Sequence, residues 1–207
     1  VTSRQCISSA WVAEAGLSPA LNYEVVLVVR IYPIRVAGNS GPMLGGEISW
    51  PILARRMNRR MADRKLPPVV CEDAIAEYEA SLASAQVAME NESESHRSLY
   101  APTKALASMS EVGRAEVMKL FEATTVTKRL RRIAELDLDQ LRLTVKKEAP
   151  AYVALTFLNY RMPELVVERE LHAEAKSYIR DVQSAIGCPI KLVSIGPRSE
   201  DILEVEV

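Results

Sequence analysis

Two apolar runs bracket a single amphipathic helix near the end of this chain, and that order leaves few folds open. Residues 152–160 (YVALTFLNY) and 189–197 (PIKLVSIGP) are near-continuous apolar stretches, the pattern of strands buried in a parallel sheet. Between them, residues 170–187 predict a helix closed by Gly187. Strand, helix, strand in this order predicts parallel strands joined by a right-handed crossover. Ligands of open α/β sheets bind beyond the carboxyl ends of the strands. Asn159 ends the first strand and Ser194-Ile195-Gly196 ends the second, so both are expected at one crevice. Each also fits an ordinary turn after a strand.

Upstream, residues 24–36 are rich in β-branched side chains and predict one or two strands interrupted at Pro33. Residues 5–16 predict a short helix closed by Gly16, and 37–47 a turn-rich loop. From about residue 48 to 120 the pattern turns helical. A basic helix runs to the Pro67-Pro68 break, and a long acidic, alanine-rich helix follows from Cys71. A further helix is expected after Pro102. Residues 137–148 predict an amphipathic helix with Leu138, Leu141 and Val145 on one face, stopped by Pro150. Residues 202–207 alternate and predict an edge strand. Three segments result: 1–54, sheet and nucleotide contacts; 55–120, a helical insertion; 121–207, a loop followed by α/β structure.

Composition narrows the function. With 207 residues, 48% hydrophobic and 26% charged, the chain has ample material for a core. A net charge of -1 and 5% aromatic content argue against a general nucleic-acid or membrane-surface binder. Cys6, Cys71 and Cys188 are scattered with no metal spacing, as in a reduced, cytoplasmic protein. His96 and His172 sit in polar helical contexts and read as surface residues. Arg55, Arg56, Arg59, Arg60 and Arg64 form a basic helical face, the one feature that favours nucleic acid.

The densest chemistry lies in residues 123–132 (ATTVTKRLRR), which place hydroxyls, backbone amides and three arginines in one short stretch between two predicted helices. Guanidinium forks and hydroxyl donors suit carboxylate and phosphate. The same composition also fits a helix N-terminus with a solvated basic face.

Taken together and in order, several elements resemble the C-terminal half of the adenylosuccinate synthetase family, especially its divergent archaeal and phage-like branch. They are Val1-Thr2-Ser3, Arg30 to Val36, Gly38 to Pro42, Thr125 to Arg132, Ala154 to Asn159, and Ser194 to Pro197. The resemblance implies a P-loop-NTPase-related α/β fold, a mostly parallel sheet flanked by helices, with residues 55–120 as a helical insertion. It implies a ligase that joins L-aspartate to carbon 6 of a purine nucleotide after a nucleoside triphosphate phosphorylates the 6-oxygen. Mg²⁺ would assist the phosphoryl transfer.

Carried onto this sequence, Thr127 and Arg129 would hold the aspartate carboxylates, helped by the amides of Val126 and Lys128. The family usually has glycine where this chain has Lys128. Arg131 would reach toward the nucleotide ligands, with Arg132 its neighbour. Thr2 would contact the 5′-phosphate of the purine monophosphate, and Val36 its ribose or base. The donor base pocket would comprise Phe157, Leu158, Asn159, Ser194, Ile195 and Gly196. GTP-using members carry Lys-Leu-Asp where this chain has Phe157-Leu158-Asn159. An amide suits adenine better than guanine, so the substitution predicts weakened GTP selectivity and use of ATP.

The family's glycine-rich phosphate loop, which supplies the catalytic aspartate and most Mg²⁺ contacts, has no counterpart here. The resemblance therefore implies an incomplete enzyme, inactive alone, that needs an N-terminal half; family members are homodimers. Inosine monophosphate is the expected purine substrate. A phage-type enzyme taking dGMP and ATP, or a non-catalytic remnant acting as an interaction module, are the alternatives.

Overall fold

The computed structural model describes Gly16 and residues 24–36 and 43–205. In chain order the elements are β1 (Val26–Arg30), β2 (Ile34–Arg35), β3 (Glu47–Ile48), α1 (Trp50–Asp63), α2 (Glu72–Ala88), α3 (Glu94–Ser108) and α4 (Glu111–Val117). They continue with β4 (Arg132–Ala134), α5 (Leu138–Glu148), β5 (Tyr152–Thr156), α6 (Leu165–Glu168), α7 (Ala173–Ile186), β6 (Ile190–Ser194) and β7 (Ile202–Glu204). The expected helix at 5–16, residues 37–42 of the expected loop, and the Val1-Thr2-Ser3 and Gly38 to Pro42 elements lie outside the described residues, as do Thr2 and Cys6. The chain divides into two compact units, one of residues up to Pro33 with Glu135 onward, the other Ile34–Ala134.

The first unit is a mixed α/β layer structure. Its sheet runs β1-β5-β6-β7, with β5 parallel to both β1 and β6, and β7 antiparallel at the edge. Val153, Leu155, Ile190 and Val193 are buried along the two inner strands. Helices α5 and α7 pack together, burying Leu141 and Val145 from one and Ala175, Ile179, Val182 and Ile186 from the other. Their ends follow the sequence closely: Asp137 Oδ1 accepts from the Gln140 amide at the start of α5, and Gly187 (φ 68°) closes α7. The apolar run 152–160 is not one strand. Phe157 adopts a left-handed conformation (φ 62°, ψ 37°) and residues 158–160 form a 3₁₀ turn, because the apolar residues after Thr156 continue into a buried corner.

The second unit packs four helices with a small antiparallel sheet of order β2-β4-β3. Ser49 caps α1, Pro51 occupies its first turn, and Trp50, Leu53, Ala54, Met57 and Met61 form its buried stripe. Pro102 does not break the chain, contrary to expectation. It lies inside α3, and the break falls at Met109-Ser110, where Ser110 Oγ accepts from the Gly113 amide to start α4. Two serine caps, at Ser93 and Ser110, outweigh the proline as boundary signals. The stretch 123–132 also departs from its expected setting. It leads into β4, not into a helix.

Candidate functional site

Residues 122–131 of the second unit form a tight hairpin. Ala123 and Leu130 bridge in antiparallel fashion, the Arg131 amide donates to Glu122 O at 2.7 Å, and the Thr124 amide donates to Arg129 O at 2.8 Å. Side chains finish the turn. Thr124 Oγ1 accepts from the Arg129 amide at 3.0 Å and lies 2.6 Å from Thr127 Oγ1. Lys128 sits at φ 52°, a conformation glycine adopts freely and a side chain adopts at a cost of about 1–2 kcal/mol. Val126 at the tip is 89% exposed.

The arginines of the hairpin differ in their surroundings. Arg129 Nη2 donates to Tyr100 Oη at 3.2 Å, and its guanidinium lies 5.0 Å from the centre of the Tyr100 ring. Arg132, on β4, pairs with Glu47 on the neighbouring strand β3. Arg131 is anchored through its backbone, where Trp50 Nε1 donates to Arg131 O at 2.7 Å, while its side-chain Nε is buried with no partner. The basic face of α1 is not simply a free cationic surface. Arg55 is engaged by Glu72 and Glu79, each at 2.7 Å, and these contacts raise its pKa further.

In the first unit the expected base-pocket residues gather at the carboxyl ends of β5 and β6. The 158–160 turn packs against β6. Asn159 Oδ1 is buried without a hydrogen-bond partner. The Arg30 guanidinium stacks 3.5 Å from the centre of the Phe157 ring, and Phe157 meets Tyr160 edge-on. Leu158 and Ile195 are fully buried, and Ser194 Oγ donates to Gly196 O at 2.7 Å. Behind this turn stands Asp201, a buried residue the sequence reading missed. It accepts from Arg169 Nη1 at 2.5 Å and from the Arg198 amide at 3.0 Å, and its backbone oxygen accepts from the Ile195 amide at 2.9 Å. The Arg198 amide and then the Arg169 guanidinium hold its carboxyl below the usual range. A β-carbon on Gly196 would lie 2.3 Å from Asp201 Oδ2. The glycine of the Ser-Ile-Gly-Pro turn is therefore set by this carboxylate. Val36 follows β2 and is half exposed.

Glu164, His172 and Glu174 bring their ligand atoms within 4.8 Å of one another. His172 is no surface residue: its Nδ1 accepts from the Ala175 amide to cap α7, and its Nε2 lies 3.2 Å from the buried Glu164 carboxylate. The cap places the ring proton on Nε2, facing Glu164. Mg²⁺ takes oxygen ligands, so a donor set containing this imidazole does not suit it.

No family model matches the chain. The adenylosuccinate synthetase of Methanosphaera stadtmanae is 31% identical over 94 residues, which is 44% of this chain and 28% of that protein. The enzyme of Thermococcus sibiricus is 30% identical over the same length and shares. Over that stretch the chain is similar to adenylosuccinate synthetases. It spans under a third of the length of these curated relatives. A solved structure, cyanophage S-2L succinoaminodeoxyadenylate synthetase bound to dGMP and dATP, covers 95% of this chain and 38% of its own at 20% identity and a TM-score of 0.49. No helix among the described residues is long and apolar enough to cross a membrane.

Proposed function

We propose that this chain carries the aspartate loop and the donor-base pocket of a purine-nucleotide:L-aspartate ligase of the adenylosuccinate synthetase kind. One observation carries the reading. Among the described residues, the two buried side-chain polar atoms without a partner are Arg131 Nε and Asn159 Oδ1. Each such atom costs about 1–3 kcal/mol when left unmade, and both belong to residues singled out as ligand contacts. In this reading each atom is satisfied by the ligand group at its own site.

In this reading Thr127 and Arg129, with the Val126 and Lys128 amides, receive the two carboxylates of L-aspartate. Arg131 faces the purine monophosphate or the triphosphate, and Thr2 and Val36 belong to the monophosphate subsite. IMP is the purine we assign. Asn159 Oδ1 accepts from the 6-amino group of an adenine, Phe157 packs on the base, and Ser194 to Gly196 wall the pocket, so ATP is the favoured donor over GTP. The partners in this reading are an N-terminal half bearing the phosphate loop, which would supply the phosphoryl-transfer chemistry, or a second copy of the chain as a homodimer, in the cytoplasm.

Isothermal titration of the chain with L-aspartate, IMP, ATP and GTP tests this. Saturable binding of aspartate that Arg129→Ala abolishes is expected, with ATP bound more tightly than GTP. Absence of any saturable nucleotide or aspartate binding would overturn the assignment.

A further inference from the structure

Helix α3 carries no recognisable chemical motif, yet its side chains reach the threonine–arginine hairpin at two points. Thr103 Oγ1 accepts from the Leu130 amide at 3.1 Å, inside the Ala123–Leu130 bridge where Leu130 is only 4% exposed. One turn earlier, Tyr100 receives Arg129 both through its hydroxyl and under its ring. His96 lies against the other partner of that contact, its ring centre 4.4 Å from that of Tyr100 and tilted by 34°. Residues 96, 100 and 103 follow the three-and-four spacing of one helix face, so α3 presents a single edge to the hairpin.

We propose that Tyr100 and Thr103 are positioning residues that hold the hairpin in its carboxylate-binding conformation. The inference rests on the functional reading above and extends it to the helical block. A free arginine side chain loses rotamer entropy when it is fixed. A guanidinium already held by Tyr100 spends one of its five N–H donors on the phenol oxygen and keeps the others for a ligand. Fixing the group beforehand strengthens binding without adding a contact. Thr103 acts at the backbone: it satisfies an amide at the base of the turn and so sets where the Thr124–Thr127 hydroxyl pair and Arg129 project. A dicarboxylate amino acid is the ligand whose affinity depends on this geometry. Tyr100 meets Arg129 and not Arg131, so the purine monophosphate does not depend on the tyrosine.

The test uses the intact chain with Tyr100→Phe, Tyr100→Ala and Thr103→Val. L-Aspartate and IMP affinities are measured by calorimetry, and exchange of the Leu130 amide is followed by mass spectrometry without ligand. Tyr100→Ala should weaken aspartate binding at least tenfold, Tyr100→Phe a few-fold, and neither should move IMP binding. Thr103→Val should speed Leu130 exchange at least tenfold while the melting temperature holds. An unchanged aspartate affinity in Tyr100→Ala, where Arg129→Ala abolishes binding, would overturn the positioning role of the tyrosine. Unchanged Leu130 exchange in Thr103→Val would overturn that of the threonine. If the unaltered chain binds no aspartate, the ligase reading fails along with the carboxylate role assigned to α3, and the exchange measurement then reports on the hairpin–helix contact alone.

Discussion

Gly196 and Asp201 show how one side chain dictates another. Alanine at 196 would put its β-carbon 2.3 Å from a carboxylate oxygen that Arg169 and the Arg198 amide hold in place. Gly196→Ala should therefore destabilise the protein by about 1–3 kcal/mol, read as a lower urea midpoint. The same carboxylate gives a pH signature. Because its folded pKa is lowered, its contribution is complete above the ordinary aspartate range and is lost as pH falls through the lowered value. Melting curves between pH 6 and pH 2 should show the wild type losing its advantage over Asp201→Asn only at the acid end. At Asn159, the substitution Asn159→Asp replaces a mixed donor–acceptor with a double acceptor. It should shift the ratio of ATP to GTP affinities toward GTP by at least tenfold in competition titrations.

Among the elements, α2 and α4 are joined by a contact no sequence pattern announces. Glu77 accepts from the Ser110 amide at 2.6 Å and from Ser110 Oγ at 3.0 Å. A β-carbon on Gly113 would fall 1.9 Å from Glu77 Oε2. Gly113→Ala should expel that side chain and cost about 1–2 kcal/mol through the lost cap, measurable by chemical denaturation. Such a pair is illegible in advance because its partners lie far apart in the chain and each looks like an ordinary helix residue. The strand–helix–strand at the end was legible for the opposite reason: its signals, continuous apolar runs and a terminal glycine, are local. The hairpin falls between. Its residue types pointed to anions, but the step into β4 depends on pairing with β2 and β3, which offer only two residues each. Phe157 is similar: nothing in an apolar run marks which residue will turn left-handed.

At the scale of the whole molecule, the second unit begins and ends on paired strands, Ile34 opposite Ile133. Its entry and exit are hydrogen-bonded neighbours, and it has its own core in Leu53, Ile75, Phe121 and Ile133, each below 2% exposed. Residues 34–134 expressed alone should therefore unfold in one cooperative helical transition by circular dichroism. A featureless, sloping melt would contradict that expectation.

Trp50 gives this unit an internal reporter. Its indole is buried against Phe121, with ring centres 5.6 Å apart, and its N–H is spent on the Arg131 carbonyl. The sequence has two tryptophans, so in a Trp11→Phe background all tryptophan emission would come from Trp50, whose N–H meets the hairpin backbone. Any shift of that backbone would then change colour or intensity without an added dye.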